Sequence, residues 1–158
     1  HDFWMKVSLH EESVRVPMIV KVPGKKPSVC NSFVELIDLY PTIASIAGLK
    51  PSKHLQGKNL IKTLDNSTYQ VRDMAFSVSQ GGRSFLLRNE KWAFIQYNED
   101  GSEGIELYDM LNDPKQFNNL SGDESHEKVV SFFKDCLKEK LKAIRNNDLE
   151  IEYAGMNP

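Results

Sequence analysis

The chain has 158 residues, 40% hydrophobic and 27% charged, the composition of a globular domain large enough to bury a real core. Its 20 Lys and Arg against 22 Asp and Glu give a formal charge of −2, so no basic excess marks it for nucleic acid or an anionic membrane. No apolar run approaches the roughly 18 residues of a membrane span, and the opening His1-Asp2-Phe3-Trp4, without a Met, suggests a fragment or a processed chain.

Residues 1–12 mix aromatic, basic and acidic side chains without a period and read as a loop. Val16-Pro17-Met18-Ile19-Val20-Lys21-Val22 is almost continuously apolar between prolines. It reads as a short buried strand that Pro23-Gly24 ends. Phe33–Ile37 fits either an extended or a helical segment. Asp38 then stands as an N-cap, Pro41 falls in the first helical turn, and Gly48 closes the helix. Leu39, Ile43, Ile46 and Ala47 form its apolar face. A short turn or helix is expected over Asn59–Leu64.

The pattern changes after Thr68. Met74–Val78, Phe85–Arg88, Trp92–Tyr97 and Ile105–Asp109 are four alternating runs, separated by Gly81-Gly82, Asn89-Glu90-Lys91 and Asn98–Gly101. They predict a four-stranded antiparallel meander. Asp123 or Ser125 can cap a helix to about Arg145, with Val129, Phe133, Cys136, Leu137, Leu141 and Ile144 as its stripe, laid on one sheet face. The tail Asn146–Pro158 has little pattern. Cys30 and Cys136 are too isolated to imply a disulfide framework or a zinc site, and are expected to be free, partly buried thiols. Two sequons, Asn66-Ser67-Thr68 and Asn119-Leu120-Ser121, bear on function only in a eukaryotic secretory route. The chain thus divides at about residue 66. A strand apolar on both faces in the first part needs neighbours that the chain hardly supplies.

Four segments, in order, carry a resemblance. They are His1-Asp2-Phe3-Trp4-Met5-Lys6 followed by Ser8–Val20 and Val22-Pro23-Gly24; Val34–Ile43 with Ala47-Gly48-Leu49; Leu55-Gln56-Gly57-Lys58-Asn59-Leu60; and Leu107-Tyr108-Asp109-Met110 with Asn112-Asp113-Pro114 and Asn119-Leu120. Together they resemble the sulfatase family of the alkaline-phosphatase-like superfamily. The first looks most like the iduronate-2-sulfatase-like branch.

The resemblance implies an α/β fold class: the C-terminal fragment of a sulfatase fold, with a small four-stranded antiparallel sheet and a C-terminal helix. Residues 1–66 would end the catalytic domain, and 67–158 would form a C-terminal subdomain. It also implies sulfate-ester hydrolysis by a formylglycine nucleophile assisted by calcium. Neither cysteine stands in a Cys-x-Pro-x-Arg context, so formylglycine and calcium are expected in a missing N-terminal region, and no metal ligand is assigned. Lys6 matches the family's sulfate-contacting lysine and is the expected catalytic residue, a point charge on a non-bridging oxygen. Trp4, His10, Arg83 and Arg88 are the expected substrate-binding residues, the arginines suited to an acidic or sulfated carbohydrate. Each also has a plainer reading, Trp4 in packing, His10 as a loop histidine and the arginines at the surface. Glu12 and Arg15 read as an ion pair orienting the loop. His10-Glu11-Glu12 is not a zinc motif.

Expected partners are the missing region or a second copy across the uncovered strand, and a sulfated carbohydrate. The family's compartments are periplasmic, secreted or lysosomal. Two other readings stay open: a phosphatase or phosphonate hydrolase of the same superfamily, and a non-catalytic module that binds a glycan or a partner.

Overall fold

The computed structural model describes residues 8–79 and 81–145. Short helical elements come first: α1 (Glu11–Val14), a 3-10 turn (Leu36–Asp38) running into α2 (Leu39–Ile46), and α3 (Ile61–Asp65). The meander follows as β1 (Ala75–Val78), β2 (Ser84–Arg88), β3 (Trp92–Tyr97) and β4 (Gly104–Asp109). A 3-10 turn (Glu124–His126) then leads into α4 (Glu127–Ile144). The strands pair antiparallel in sequence order, as the alternating runs predict.

Period-two alternation gives the sheet two distinct faces. Phe85, Leu87, Phe94 and Leu107 point to one side, against Val130, Phe133, Leu137 and Leu141 of α4. Val130 is buried more deeply than the expected Val129, which packs at the margin with Cys136 and Ile144. Asp123 starts this helical stretch by accepting from the Ser125 amide at 2.8 Å. Leu86, Ala93, Ile95 and Tyr108 point to the opposite side, where Leu9 and Val14 of the N-terminal loop cover them. The sheet therefore carries a helix on one face and the loop of residues 8–15 on the other.

Segment 119–121 covers the outer edge of β4. Asn119 Oδ1 accepts from the Leu107 amide, its Nδ2 donates to the Ile105 carbonyl, and the Ser121 hydroxyl donates to that same carbonyl. This accounts for the Asn119 of the fourth motif as an edge cover. Both cysteines are free and half-buried, as expected.

Three expectations in the first half are corrected. Residues 16–22 form no strand, and the apolar stretch is exposed, with Ile19 94% accessible. Among the described residues no strand lies beside it, and a strand without a neighbour cannot satisfy its backbone groups by pairing. Asp38 does not cap α2 with its side chain; it is fully buried in an ion pair. Arg15 pairs with Glu11, its Nη1 3.5 Å from Oε1, and not with Glu12, because i,i+4 residues share a helix face.

Helix α2 ends as its sequence predicts. Gly48 has φ +74°, and the Gly48 and Leu49 amides donate to the Ser45 and Ala44 carbonyls. Its apolar face, however, turns outward. Leu36, Tyr40, Ile43 and Ile46 are exposed, while Pro41, Thr42 and Ala44 face inward. The third motif holds α2 in place. A Cβ at Gly57 would lie 2.0 Å from the Ile37 carbonyl oxygen, so only glycine allows this approach, and the next amide, Lys58, donates to Asp38 Oδ1 at 2.7 Å.

Candidate functional site: the loop after Lys6

Lys6 and Trp4 lie outside the described residues. From Ser8 onward the loop is held by hydrogen bonds within it and by side chains of the sheet half. A single helical turn forms over 11–14, the Ser13 and Val14 amides donating to the His10 carbonyl and the Arg15 amide to Glu11. Ser8 and Ser13 hydroxyls meet across the turn at 2.7 Å.

Four side chains from the second half of the chain converge on His10 and Glu11. His10 is only 5% exposed; its Nε2 lies 3.1 Å from Glu106 Oε2 of β4, and its ring packs tilted on Tyr108 at 5.9 Å. Arg88 of β2 places Nε 3.2 Å from Glu11 Oε2 and its guanidinium over the Phe33 ring. Gln116, almost wholly buried at φ +57°, accepts from the Glu11 amide at 2.6 Å. Arg88 Nη1 and Gln116 Nε2 are buried without a hydrogen-bond partner among the described residues.

Glu106 is the centre of this group. Besides His10 it accepts from the Tyr97 hydroxyl at 3.0 Å and the Tyr108 hydroxyl at 2.9 Å. Burial alone would push its carboxyl up. The hydrogen bonds from His10, Tyr108 and Tyr97 outweigh that and hold it below the usual carboxylate range. The same burial, with the Glu106 charge, pushes both tyrosines above their ordinary value. Because the folded pKa of Glu106 is depressed, its contribution is complete above the unfolded carboxylate range, roughly pH 4–5. It is lost as pH falls through the lower folded value. Glu106→Gln is therefore expected to flatten the acid limb of the melting temperature below about pH 4.5. An acid limb as steep as in the parent chain would show that this carboxylate is not what titrates.

Of the expected substrate contacts, His10 and Arg88 are thus brought together in the support of the loop. Arg83 stands apart, exposed at the β1–β2 turn. Glu106 and Gln116 escaped the sequence reading. The one signal for Glu106 was its place two residues before Tyr108, on the same face of an alternating strand.

A second buried polar group ties the two halves together. Arg72 Nη1 and Nη2 donate to Asp38 Oδ2 and Oδ1 at 2.6 and 2.7 Å. Glu35 Oε1 stands 3.6 Å from Arg72 Nε and accepts from the Phe76 amide of β1. Burial would raise the Asp38 carboxyl, but the guanidinium and the Lys58 and Glu35 amides hold it below the usual range.

Among the described residues no cluster of three or more His, Cys, Asp or Glu could hold a metal ion. The Cys30 thiol contacts the Tyr69 carbonyl at 3.8 Å, and burial pushes the Cys136 thiol up, away from thiolate character. Among the described residues none fits calcium, and neither cysteine stands in the Cys-x-Pro-x-Arg context a formylglycine needs.

Residues 1–147 match the family model described as N-sulphoglucosamine sulphohydrolase, C-terminal. Among curated proteins the chain is similar to arylsulfatase K of Mus musculus, 29% identical over 158 residues, covering 92% of this chain and 28% of that protein. Arylsulfatase K of Danio rerio is 31% identical over 156 residues, with the same two coverages. The chain therefore spans little more than a quarter of these relatives. Among solved structures, the phosphonate monoester hydrolase of Silicibacter pomeroyi superposes with TM-score 0.69 at 20% identity, covering 82% of this chain and 29% of that one. BT4656, solved with its substrate D-glucosamine-2-N,6-O-disulfate, gives 0.58 at 24%, covering 70% and 24%. At these identities the two structures speak for the fold. The match across almost the whole chain settles the family: the chain belongs to the N-sulphoglucosamine sulphohydrolase C-terminal family, the C-terminal part of an alkaline-phosphatase-like sulfatase.

Proposed function

We propose that this chain is the C-terminal portion of a sulfatase that hydrolyses sulfate esters of a sulfated carbohydrate, and that it contributes Lys6 to the sulfate pocket. The observation that carries this reading is the family match over residues 1–147, which includes the Trp4-x-Lys6 segment. The formylglycine nucleophile and the calcium ligands belong, on this reading, to the remaining part of the protein. Its length is allowed for by relatives more than three times as long.

Residues 1–66 close the catalytic domain, and 67–158 form the C-terminal subdomain. Trp4 and Arg83 border the sugar. His10 and Arg88 serve it through the loop they hold, since His10 Nε2 meets Glu106 and Arg88 Nε meets Glu11. The iduronate-2-sulfatase-like variant of the first motif favours an acidic, sulfated sugar.

The outward apolar residues Leu36, Tyr40, Ile43 and Ile46, with the exposed stretch at 16–20, support a large covering partner. Contiguous apolar surface of this kind is rarely left to water. The catalytic domain is that partner, and a second copy is the substitute when it is missing.

The experiment compares the chain with the full-length protein on an aryl sulfate in the presence of calcium. The chain alone is expected to show no turnover and to self-associate in sedimentation. Joined to the upstream region, it is expected to turn over and to sediment without that self-association. Turnover by the chain alone at a rate comparable to the full-length protein would refute the reading.

A further inference from the structure

We propose that Asn66 is an acceptor site for an N-linked glycan when the chain is made in a eukaryotic secretory pathway, and that Asn119, in the second sequon, stays unmodified because of its place on the sheet. The proposal concerns the surface of the chain and does not depend on which ester the protein hydrolyses.

The two N-x-[ST] sequences look alike in one dimension. Folding treats them differently. Asn66 directly follows α3 and is exposed, as is Thr68. Asn66 Oδ1 accepts from the Thr68 amide at 3.0 Å and from the Thr68 hydroxyl at 2.8 Å. The Tyr69 amide donates to the Asn66 carbonyl at 3.1 Å and closes the turn. Oxygen and nitrogen lie on opposite sides of a planar side-chain amide, so an oxygen turned onto Thr68 leaves Nδ2 facing away from the turn. Among the described residues no group hydrogen-bonds that nitrogen. The turn is also local, complete within Asn66–Tyr69. It needs no sheet, and glycan transfer takes place on the chain as it is made, ahead of the finished fold.

The transfer step asks for what this turn offers. Nδ2 attacks the anomeric carbon of an oligosaccharide carried on a lipid pyrophosphate. A C–N bond forms, the bond from that carbon to the pyrophosphate oxygen breaks, and the lipid pyrophosphate leaves with the bonding pair. A base of the transferase takes one amide proton. The step requires a free amide nitrogen and a hydroxyl two residues on, which Asn66 and Thr68 supply. In the folded chain the sugar then stands on an exposed turn, and no side-chain contact of Asn66 beyond Thr68 has to break for it.

Asn119 is committed elsewhere. Its Oδ1 accepts from the Leu107 amide, and its Nδ2 donates to the Ile105 carbonyl at 3.1 Å, partners 12 and 14 positions away on β4. The Ser121 hydroxyl is turned onto the same Ile105 carbonyl at 2.7 Å. A sugar on that nitrogen would stand against the outer edge of β4 and displace the segment that covers it. An uncovered edge pairs with other chains, so chains modified at Asn119 are lost before secretion.

The test uses the full-length protein secreted from a eukaryotic host. Glycans are released enzymatically in heavy-oxygen water, which turns each occupied asparagine into a labelled aspartate, and the peptides are read by mass spectrometry. Label is expected at position 66 and not at position 119. Thr68→Ala is expected to remove one glycan from the intact mass, and Thr68→Ser, which keeps the hydroxyl, to retain it. Asn119→Ala is expected to leave the Asn66 glycan in place and to lower the melting temperature, because the β4 edge loses its cover. An unlabelled Asn66 in the secreted protein would overturn the proposal, as would label at Asn119. A Thr68→Ala protein that keeps its glycan mass, or an Asn119→Ala protein that melts like the parent, would overturn it equally.

Discussion

Arg72→Ala is expected to destabilise the protein by about 3–5 kcal/mol, the range for removing one partner of a buried ion pair. The reason is Asp38. Its side chain has no exposed surface, and its two oxygens receive the two arms of the guanidinium at 2.6 and 2.7 Å. Once the arginine is gone, a carboxylate is left buried with only two amide donors, from Glu35 and Lys58. Arg72→Lys does not repair this, because a single ammonium cannot fill a fork of two parallel bonds. Asp38→Leu combined with Arg72→Met does not repair it either. The Glu35 and Lys58 amides would lose their acceptor, and buried unpaired amides are themselves costly. Denaturant unfolding checks this through the midpoint at constant m-value. A loss under about 1 kcal/mol would mean that water takes the place of the guanidinium and that the pair is not the hub of the two halves.

That hub shows what a sequence discloses and what it withholds. The four strands and the long helix were legible because each is written locally. Alternation over Phe85–Arg88 and Trp92–Tyr97, glycines and asparagines between the runs, and a 3–4 stripe from Phe133 to Leu141 leave little choice. Residues 16–22 misled for a physical reason. Continuous apolarity states that a segment is to be buried, not that this chain buries it. The outward face of α2 makes the same point: Leu39, Ile43 and Ile46 fit one helical stripe, yet Ile43 and Ile46 look to solvent and polar Thr42 looks inward to bond the Leu60 amide.

The candidate site was legible only as positions in a motif. Lys6 and His10 could be named, but the residues that hold the loop lie up to 105 positions away from it. Asp38 looked like a helix cap because Asp before a helical run usually is one. Its true partner, Arg72, is 34 positions on, and nothing in local spacing links them.

Lys6→Ala in the full-length protein is expected to lower kcat on a sulfate ester by about 10²–10³-fold, the loss found when one donor to developing charge is removed. On the sulfatase reading, negative charge is carried by the non-bridging sulfate oxygens as the ester bond breaks, and a cation placed on one of them acts most strongly where water is excluded. The ammonium contributes as a point charge, so Lys6→Arg is expected to recover only part of the rate: the guanidinium is broader and needs two acceptors to be well used. Full-length Lys6→Ala protein that melts like the parent and turns over an aryl sulfate at the parent rate would remove Lys6 from the chemistry.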